Sequence, residues 1–362
     1  MGIGAGWSLS IGSGGAGPRN LITDVDGVLV GHCTIEQDQA RTGVTAVLPH
    51  AGNLFTDKVM AAAHVINGFG KSVGLMQVTE MGVIETPLLL TNTLSAGTAS
   101  NALVKHMLAQ NSDIGVTTGT VNPVVLECND GGINDIRGLH ITEEHAAQAL
   151  QAAASDFAEG AVGAGRGMRC HQLKGGIGSA SRRISLGQGS CTVGAVVLSN
   201  HGTLHDLTVN GDPIGRRFSP DDSPRDDTGS VIVILATDAP LSERQLERMA
   251  RRSIVGLSRT GSQMASGSGE IALAFSTANR IPHYPTGDIL DLHTVHEDRL
   301  DRFFRAAAEA VEESVISSML HAQPDDARDG TRVRSLADLL EAERGPQSPA
   351  AVVDPSSVGK IR

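Results

Sequence analysis

A serine at residue 230 occupies a position where its hydroxyl could attack its own backbone. It follows Gly229, the last residue of the polar, proline-bearing loop 220–229, and it opens the apolar run VIVILA at 231–236. Glycine before it gives the backbone the freedom to bring the hydroxyl near the preceding carbonyl, so an N-to-O acyl shift is geometrically possible. On these features alone, Ser230 could equally be an ordinary serine at the start of a strand.

Other polar residues lie beside loops in ways that suit catalysis. Ser268 and Glu270 follow a Gly/Ser-rich loop and precede an apolar run, and Asn200 lies in the turn SNHG after another apolar run. Taken singly, Glu270 fits a charged residue at the start of a strand, and Asn200 fits a turn former that tolerates the left-handed conformation.

Patterns typical of metal and cofactor sites do not fit their sequence context. His140 and His145 flank two glutamates without H-E-x-x-H spacing. The formal G-x-G-x-x-G within residues 12–17 lacks a preceding strand and a following helix. The four cysteines form no C-x-x-C pair, which favours unpaired thiols in a reducing compartment. We therefore expect no metal and no cofactor.

The elements that must position these residues can be read from the apolar spacing. Strands are predicted at 43–48, 83–91, 192–198, 231–236 and 271–276, and helices from Thr142 to about 154, over 246–257 and over 300–315. Ser242 with Gln245, and Thr294 with Glu297, match the capping-box pattern. Strands and helices interleave without regular βαβ alternation, which favours layered sheets with helices outside.

Composition limits the partners. The chain has 362 residues, a formal net charge of −11, 43 glycines and only 2% aromatic residues. Such charge disfavours binding to nucleic acid or to anionic membranes. No apolar stretch reaches the length that spans a bilayer, and residues 1–18 lack the features of a signal peptide, so we expect a cytoplasmic protein.

Several long motifs, in one order, resemble the family of β-peptidyl aminopeptidases and L-aminopeptidase/D-Ala-esterase/amidases. The strongest match is the segment 229–281, which contains GSVIVILATDAP and SGSGEIALAFSTANRI. Further matches are NLITDVDGVLVGH at 20–32, RTGV at 41–44, VINGFG at 65–70, KGGIGSASR at 174–182 and VLSNHGTLHDL at 197–207. The resemblance covers nearly all of residues 20–285.

The resemblance implies an α/β (α+β) fold, a four-layer αββα sandwich with two central sheets flanked by helices. It implies a flexible segment 1–19, one catalytic domain at 20–343 and a disordered tail at 344–362. It also implies self-cleavage between Gly229 and Ser230 into chains 1–229 and 230–362, and assembly as a tetramer of αβ units.

The same resemblance assigns roles to individual residues. Ser230 would act as nucleophile and, through its α-amine, as base, while Ser268 and Glu270 would hold that amine and relay protons. Asn200 would stabilise the oxyanion. Glu127 would receive the amino group of a small peptide or amide substrate, and Asn129 would leave a smaller, more polar wall where some members have tyrosine.

Three alternatives remain open at this point. The chain also resembles nylon-oligomer hydrolases, and the ornithine acetyltransferases, a transferase class of similar fold, are a second alternative, but both use threonine where this chain has Ser230. An uncleaved, inactive homologue that acts as a binding protein is the third.

Overall fold

The computed structural model describes residues 11–219 and 229–344, which contain strands and helices in mixed order. The strands are β1 (Leu29–Gln37), β2 (Ala40–Leu48), β3 (Asp57–Gly68), β4 (Val83–Ile84), β5 (Leu88–Asn92), β6 (Val124–Cys128), β7 (Arg169–Cys170), β8 (Leu173–Lys174), β9 (Gly176–Leu186), β10 (Gly189–Asn200), β11 (Ser230–Thr237), β12 (Gly269–Pro282), β13 (Asp325–Asp326) and β14 (Arg332–Val333). The helices are α1 (Leu75–Met81), α2 (Ala96–Gln110), α3 (Glu143–Gln151), α4 (Gly215–Phe218), α5 (Glu243–Ala250), α6 (Ser253–Arg259), α7 (Asp301–Leu320) and α8 (Leu336–Arg344).

Two large sheets form the centre of the molecule. The smaller has the strand order β1-β2-β5-β6, and the larger has the order β4-β3-β12-β11-β10-β9. Most neighbouring strands are antiparallel, whereas β5 pairs with β6, and β11 with β12, in parallel. Strand β11 therefore lies inside the larger sheet, with β10 on one side and β12 on the other.

The apolar run in β11 is explained by burial of both its faces. Ile232 and Ile234 belong to the core between the two sheets, whereas Val231, Val233 and Leu235 belong to the core beneath the helices. Every residue of β11 is buried. A strand covered on both sides reads as a continuous apolar run, as this one does.

Helices cover the outer face of each sheet. Helices α2 and α3 supply Leu103 and Ala149 to the core on the smaller sheet. Helices α5, α6 and α7 supply residues such as Leu246, Leu257 and Val315 to the core on the larger sheet. The order of layers is helix, sheet, sheet, helix, which confirms the predicted αββα sandwich. Within the described residues, no helix is both long enough and apolar enough to cross a membrane.

Close packing of α7 on β9 gives a stability test. A Cβ added at Gly178 would overlap the carbonyl oxygen of Ser314 and lie 2.6 Å from the Ser318 nitrogen. We expect Gly178→Ala to lower the free energy of unfolding by about 2–3 kcal/mol, because the helix must move away from the sheet. Thermal unfolding followed by circular dichroism measures this loss.

The matched control is Gly97→Ala in α2, where an added Cβ would meet no atom within 4 Å. Alanine is the better helix former, so this variant should melt at or slightly above the parent temperature. Equal melting temperatures for Gly178→Ala and the parent would contradict the packing argument.

Some local predictions require correction. The predicted strand 83–91 is two strands, β4 and β5, and the predicted helix 246–257 is two helices, α5 and α6. The Ser242–Gln245 capping box is present. The box at Thr294 and Glu297 is wrong: the Thr294 hydroxyl donates to the Gln245 side chain at 2.9 Å, and α7 begins only at Asp301. A tertiary contact uses the hydroxyl that local spacing assigned to a cap.

Part of the glycine-rich N-terminal segment packs against the body. Ile11 is buried, and the backbone nitrogens of Ser13 and Gly14 donate to the Glu309 carboxylate at 3.1 and 3.0 Å. Arg182 donates to the carbonyl oxygen of Ile11 at 2.6 Å. Small residues let the backbone of Ser13 and Gly14 reach these buried charges, and the expected flexibility of segment 1–19 stays a prediction. Residues 1–10 and most of the expected tail, 345–362, lie outside the described residues.

Candidate active site

Ser230 is held at the start of β11 between two neighbouring strands. Its register partner on β10 is Asn200, and its partner on β12 is Gly269. The residue is only 9% exposed. Pairing on both sides fixes the backbone at Ser230, so its hydroxyl has a defined position at the start of this inner strand.

One backbone amide contacts both groups that a self-cleavage step requires. The Gly269 N–H donates to the carbonyl oxygen of Gly229 at 3.3 Å and to Ser230 Oγ at 3.3 Å. A Cβ at residue 269 would lie 2.6 Å from the Phe69 carbonyl oxygen. Glycine is therefore required for this amide to approach Ser230. The hydroxyl and the carbonyl before it share a single donor.

Ser268 immediately precedes β12, and Glu270 is the second residue of that strand, so the two residues flank Gly269. Both side chains are completely buried, and the Ser268 hydroxyl donates to Glu270 Oε1. The structure thus brings the predicted pair into contact with each other and next to the register partner of Ser230.

Asn67 supports this arrangement from β3. Its side-chain nitrogen donates to the carbonyl oxygen of Ser268, and to that of Ala265 at 3.0 Å. Sequence reasoning did not single out Asn67, although it lies in the VINGFG motif at 65–70. The motif was the available signal, but no local pattern shows that an asparagine there reaches β12.

The side chain of Asn200 is oriented by two hydrogen bonds. Its Oδ1 accepts from the Arg169 backbone nitrogen at 2.9 Å, and its Nδ2 donates to the Asn129 carbonyl oxygen at 2.9 Å. An amide nitrogen carries two protons, so the second proton of Nδ2 can serve another acceptor. Asn129 is exposed, and its own Oδ1 accepts from the Gly131 nitrogen at 2.9 Å.

Glu127 reaches the same region from the smaller sheet. It lies on β6 and is only 4% exposed. Its Oε1 accepts from the backbone nitrogen of Lys71 at 2.6 Å, and its Oε2 accepts from the Thr93 hydroxyl. Burial raises the pKa of the adjacent Cys128 thiol well above its usual value, and the charges of Glu127 and Glu270 raise it further. The charges of two carboxylates, one from each sheet, therefore act on the same buried thiol.

An apolar surface borders these residues. Val65 and Phe69 are 50% and 60% exposed, although both are large apolar side chains. The Lys71 ammonium lies 4.3 Å from the centroid of the Phe69 ring. The carbonyl oxygen of Phe69 also lies beside Gly269. The end of β3 and the residues that follow it can therefore form one wall for a bound molecule.

A cluster of potential metal ligands lies next to Asn200. Cys170, His171 and His201 are buried, and their potential ligand atoms all lie within 4.8 Å of one another. Burial, and then the proximity of His171, lowers the pKa of His201 well below its usual value. Sequence reasoning missed this group because its members come from two separate segments without the spacing of a known motif.

The model of the family described as "Peptidase family S58" matches residues 20–333, which is most of the chain. The chain belongs to peptidase family S58. The S58 match spans both large sheets and includes all of the candidate residues described above.

Curated and solved members agree with this assignment. The β-peptidyl aminopeptidase BapA of Sphingosinicella microcystinivorans is 36% identical over 351 residues, covering 90% of this chain and 87% of that protein. The PH0078 protein of Pyrococcus horikoshii is 50% identical, with a TM-score of 0.88 and coverage of 93% and 97% of the two chains. L-aminopeptidase D-Ala-esterase/amidase of Ochrobactrum anthropi is 38% identical, with a TM-score of 0.83 and coverage of 92% and 97%.

These relatives confirm the predicted family and fold. The O. anthropi structure is described as a prototype of the serine aminopeptidases and a variant of the Ntn-hydrolase fold. This S58 protein is accordingly a hydrolase of the aminopeptidase and amidase class that acts on peptides.

Proposed function

We propose that this protein is a self-processing serine aminopeptidase or amidase that cuts its backbone between Gly229 and Ser230. Cleavage would divide the single domain 20–343 between an α chain, 1–229, and a β chain, 230–362. One observation carries the proposal: the Gly269 N–H lies 3.3 Å from both the Gly229 carbonyl oxygen and Ser230 Oγ.

The cleavage step follows from this arrangement. Ser230 Oγ attacks the Gly229 carbonyl carbon, and the Gly269 N–H stabilises the oxygen that becomes negative. The carbon–nitrogen bond between the two residues breaks, the nitrogen takes up the hydroxyl proton, and an ester forms. Water then hydrolyses the ester, which leaves a carboxylate at Gly229 and a hydroxyl and an amine at Ser230.

The new α-amine supplies the base for later turnovers. Such amines have pKa values of about 7.7–8.0, so the amine can accept the Ser230 hydroxyl proton near neutral pH. The contact between Ser268 and Glu270 supports a role in holding this amine and relaying its proton. Ser230 then forms an acyl-enzyme with the substrate, and Asn200 Nδ2 stabilises the oxyanion.

Glu127 is suited to bind the amino group of the substrate. Its buried carboxylate would pair with an ammonium group, and a buried ammonium requires such a partner. The site would therefore release N-terminal residues from short peptides, amides or esters. Because two relatives are named as β-peptidyl and D-alanine enzymes, β- and D-residues join L-residues as proposed substrates.

Intact mass spectrometry tests the proposal directly. The purified protein should consist of two chains, one ending at Gly229 and one beginning at Ser230. A panel of α-, β- and D-aminoacyl p-nitroanilides then measures substrate preference, to which the small polar side chain of Asn129 would contribute. A fully active protein that remains a single chain would refute the scheme.

Replacing Glu127 tests the recognition of the amino group. Glu127→Gln keeps the shape of the side chain and removes its charge, so kcat/KM for aminoacyl p-nitroanilides should fall by about 10- to 100-fold. The matched control is the same substrate without its amino group, on which the variant should lose little. An equal loss on both substrates would exclude Glu127 as the ammonium partner.

Assembly and location complete the proposal. A homo-oligomer, specifically a tetramer of αβ units, is expected from the resemblance and is tested by analytical ultracentrifugation. None of the four cysteines, all of which lie within the described residues, forms a disulfide, which supports a reducing cytoplasmic location.

A further inference from the structure

Three metal-ligating side chains meet in the interior, behind the Ser230 site. Cys170 and His171 come from the β7 hairpin, and His201 follows the last residue of β10. Their potential ligand atoms lie within 4.8 Å of one another, and each residue is at most 2% exposed. Thiolate and imidazole are the ligands that zinc prefers in proteins.

The spacing of the donors suits a tetrahedral ion. Cys170 Sγ lies 3.9 Å from His201 Nδ1. Zinc bonds of about 2.3 Å to sulfur and about 2.1 Å to nitrogen, at a tetrahedral angle, place these two ligand atoms roughly 3.6 Å apart. A shift of a few tenths of an ångström would therefore bring this pair to the bonding geometry.

The backbone holds His171 toward the other two residues. His171 and Gln172 form the turn between β7 and β8 with φ values of 48° and 63°, in the left-handed region that costs energy for residues other than glycine. The backbone nitrogen of His171 donates to the His201 carbonyl oxygen at 2.6 Å. A Cβ at Gly202 would lie 2.5 Å from the His171 ring, so glycine there makes room for the imidazole.

The hydrogen bond made by the His171 ring matches that of a metal ligand. His171 Nδ1 donates to the Thr203 carbonyl oxygen at 2.9 Å, which leaves the lone pair on Nε2. The Thr203 hydroxyl in turn donates to Asp206 at 2.8 Å. His201 Nδ1, the ring nitrogen that faces Cys170 Sγ, would be the ligand atom of the second imidazole, and Nε2 would then carry the proton.

We propose that Cys170, His171 and His201 bind one divalent transition-metal ion of the zinc class, with a non-protein ligand completing its coordination. Because the ligands are buried, the ion would enter as the chain folds. It would brace the backbone at the candidate cleavage site, since a Cβ at Gly229 would lie 2.6 Å from the His201 Cα. The site does not depend on cleavage at Ser230.

Metal content measured on the tag-free full chain tests the site. Protein produced in zinc-supplemented medium should contain about one zinc ion per αβ unit, and protein refolded with cobalt(II) should show a thiolate-to-cobalt charge-transfer band. Cys170→Ser should lose the band. His171→Asn keeps a donor for the Thr203 carbonyl and tolerates the left-handed backbone, yet it should weaken metal affinity at least about tenfold.

Cys191→Ser is the matched control. It removes a different buried thiol, at the far end of β10, whose Sγ donates to the Ile184 carbonyl oxygen at 3.7 Å. This variant should keep both the zinc and the cobalt band. A parent chain without zinc after refolding in its presence, or a Cys170→Ser chain with the parent band, would overturn the proposal. The Ser230→Ala chain should bind zinc normally, which separates this result from the fate of the proposed function.

Discussion

Replacing Ser230 with alanine is expected to yield one intact chain on a denaturing gel and to abolish hydrolysis. The single substitution removes the oxygen that attacks Gly229 and the nucleophile of every later turnover, and without cleavage no α-amine is released. We expect kcat to fall by roughly 10⁴-fold or more. Intact mass and p-nitroanilide release measure the two effects on the same sample.

Two variants separate chemistry from folding. Ser230→Cys retains a nucleophile and should still yield the two chains. Ser276→Ala removes a buried hydroxyl from the same sheet, one that donates to the Ala239 carbonyl oxygen at 2.6 Å, and should cleave and react like the parent. Two fragments from Ser230→Ala, or a small subunit with a different first residue, would disprove the role of Ser230.

The pairing of strands in the larger sheet explains why cleavage and hydrolysis depend on Ser230. The parallel pair β11–β12 places Ser230 against Gly269, and the antiparallel pair β10–β11 places it against Asn200. A shift of one residue in either pair would turn the candidate side chains to the other face. The two buried faces of β11 prevent such a shift, because each requires its own alternate set of apolar residues.

The sequence was sufficient for features set by local patterns. The apolar run after Ser230 predicted a buried strand, and Ser242 with Gln245 predicted the start of α5; both are confirmed. The αββα layers came from the resemblance, since apolar spacing indicated only layered sheets with helices outside.

Contacts between distant segments were beyond that reasoning. Asn67 reaches the Ser268 carbonyl from a strand about 200 residues earlier in the chain. Thr294 bonds to Gln245 in place of capping a helix, and Ile11 packs although it follows a glycine-rich start. In each case a tertiary contact outweighs the local preference of the residue. Such a contact cannot be predicted from the spacing of neighbouring residues in the sequence.

Asn200 should contribute the second-largest catalytic effect. Its Nδ2 donates to the Asn129 carbonyl oxygen, and its Oδ1 accepts from the backbone nitrogen of Arg169. The remaining proton of the side-chain amide therefore has a fixed direction. Removing one such preorganised donor typically costs about 10²- to 10³-fold in kcat. We expect Asn200→Ala to show this loss in the cleaved enzyme, with KM changed only a few-fold, in steady-state hydrolysis of p-nitroanilides.

Asn200→Asp distinguishes stabilisation of the oxyanion from a purely structural role. Aspartate can still accept from the Arg169 nitrogen, but it has no amide proton to donate, and its negative charge opposes a developing oxyanion. If Asn200 acts as a donor, the Asp variant should be at least as impaired in kcat as the Ala variant. If Asn200 only positions the Arg169 backbone, the Asp variant should retain most of its activity. Rates are normalised to the cleaved fraction, because an oxyanion donor could also assist the cut at Gly229.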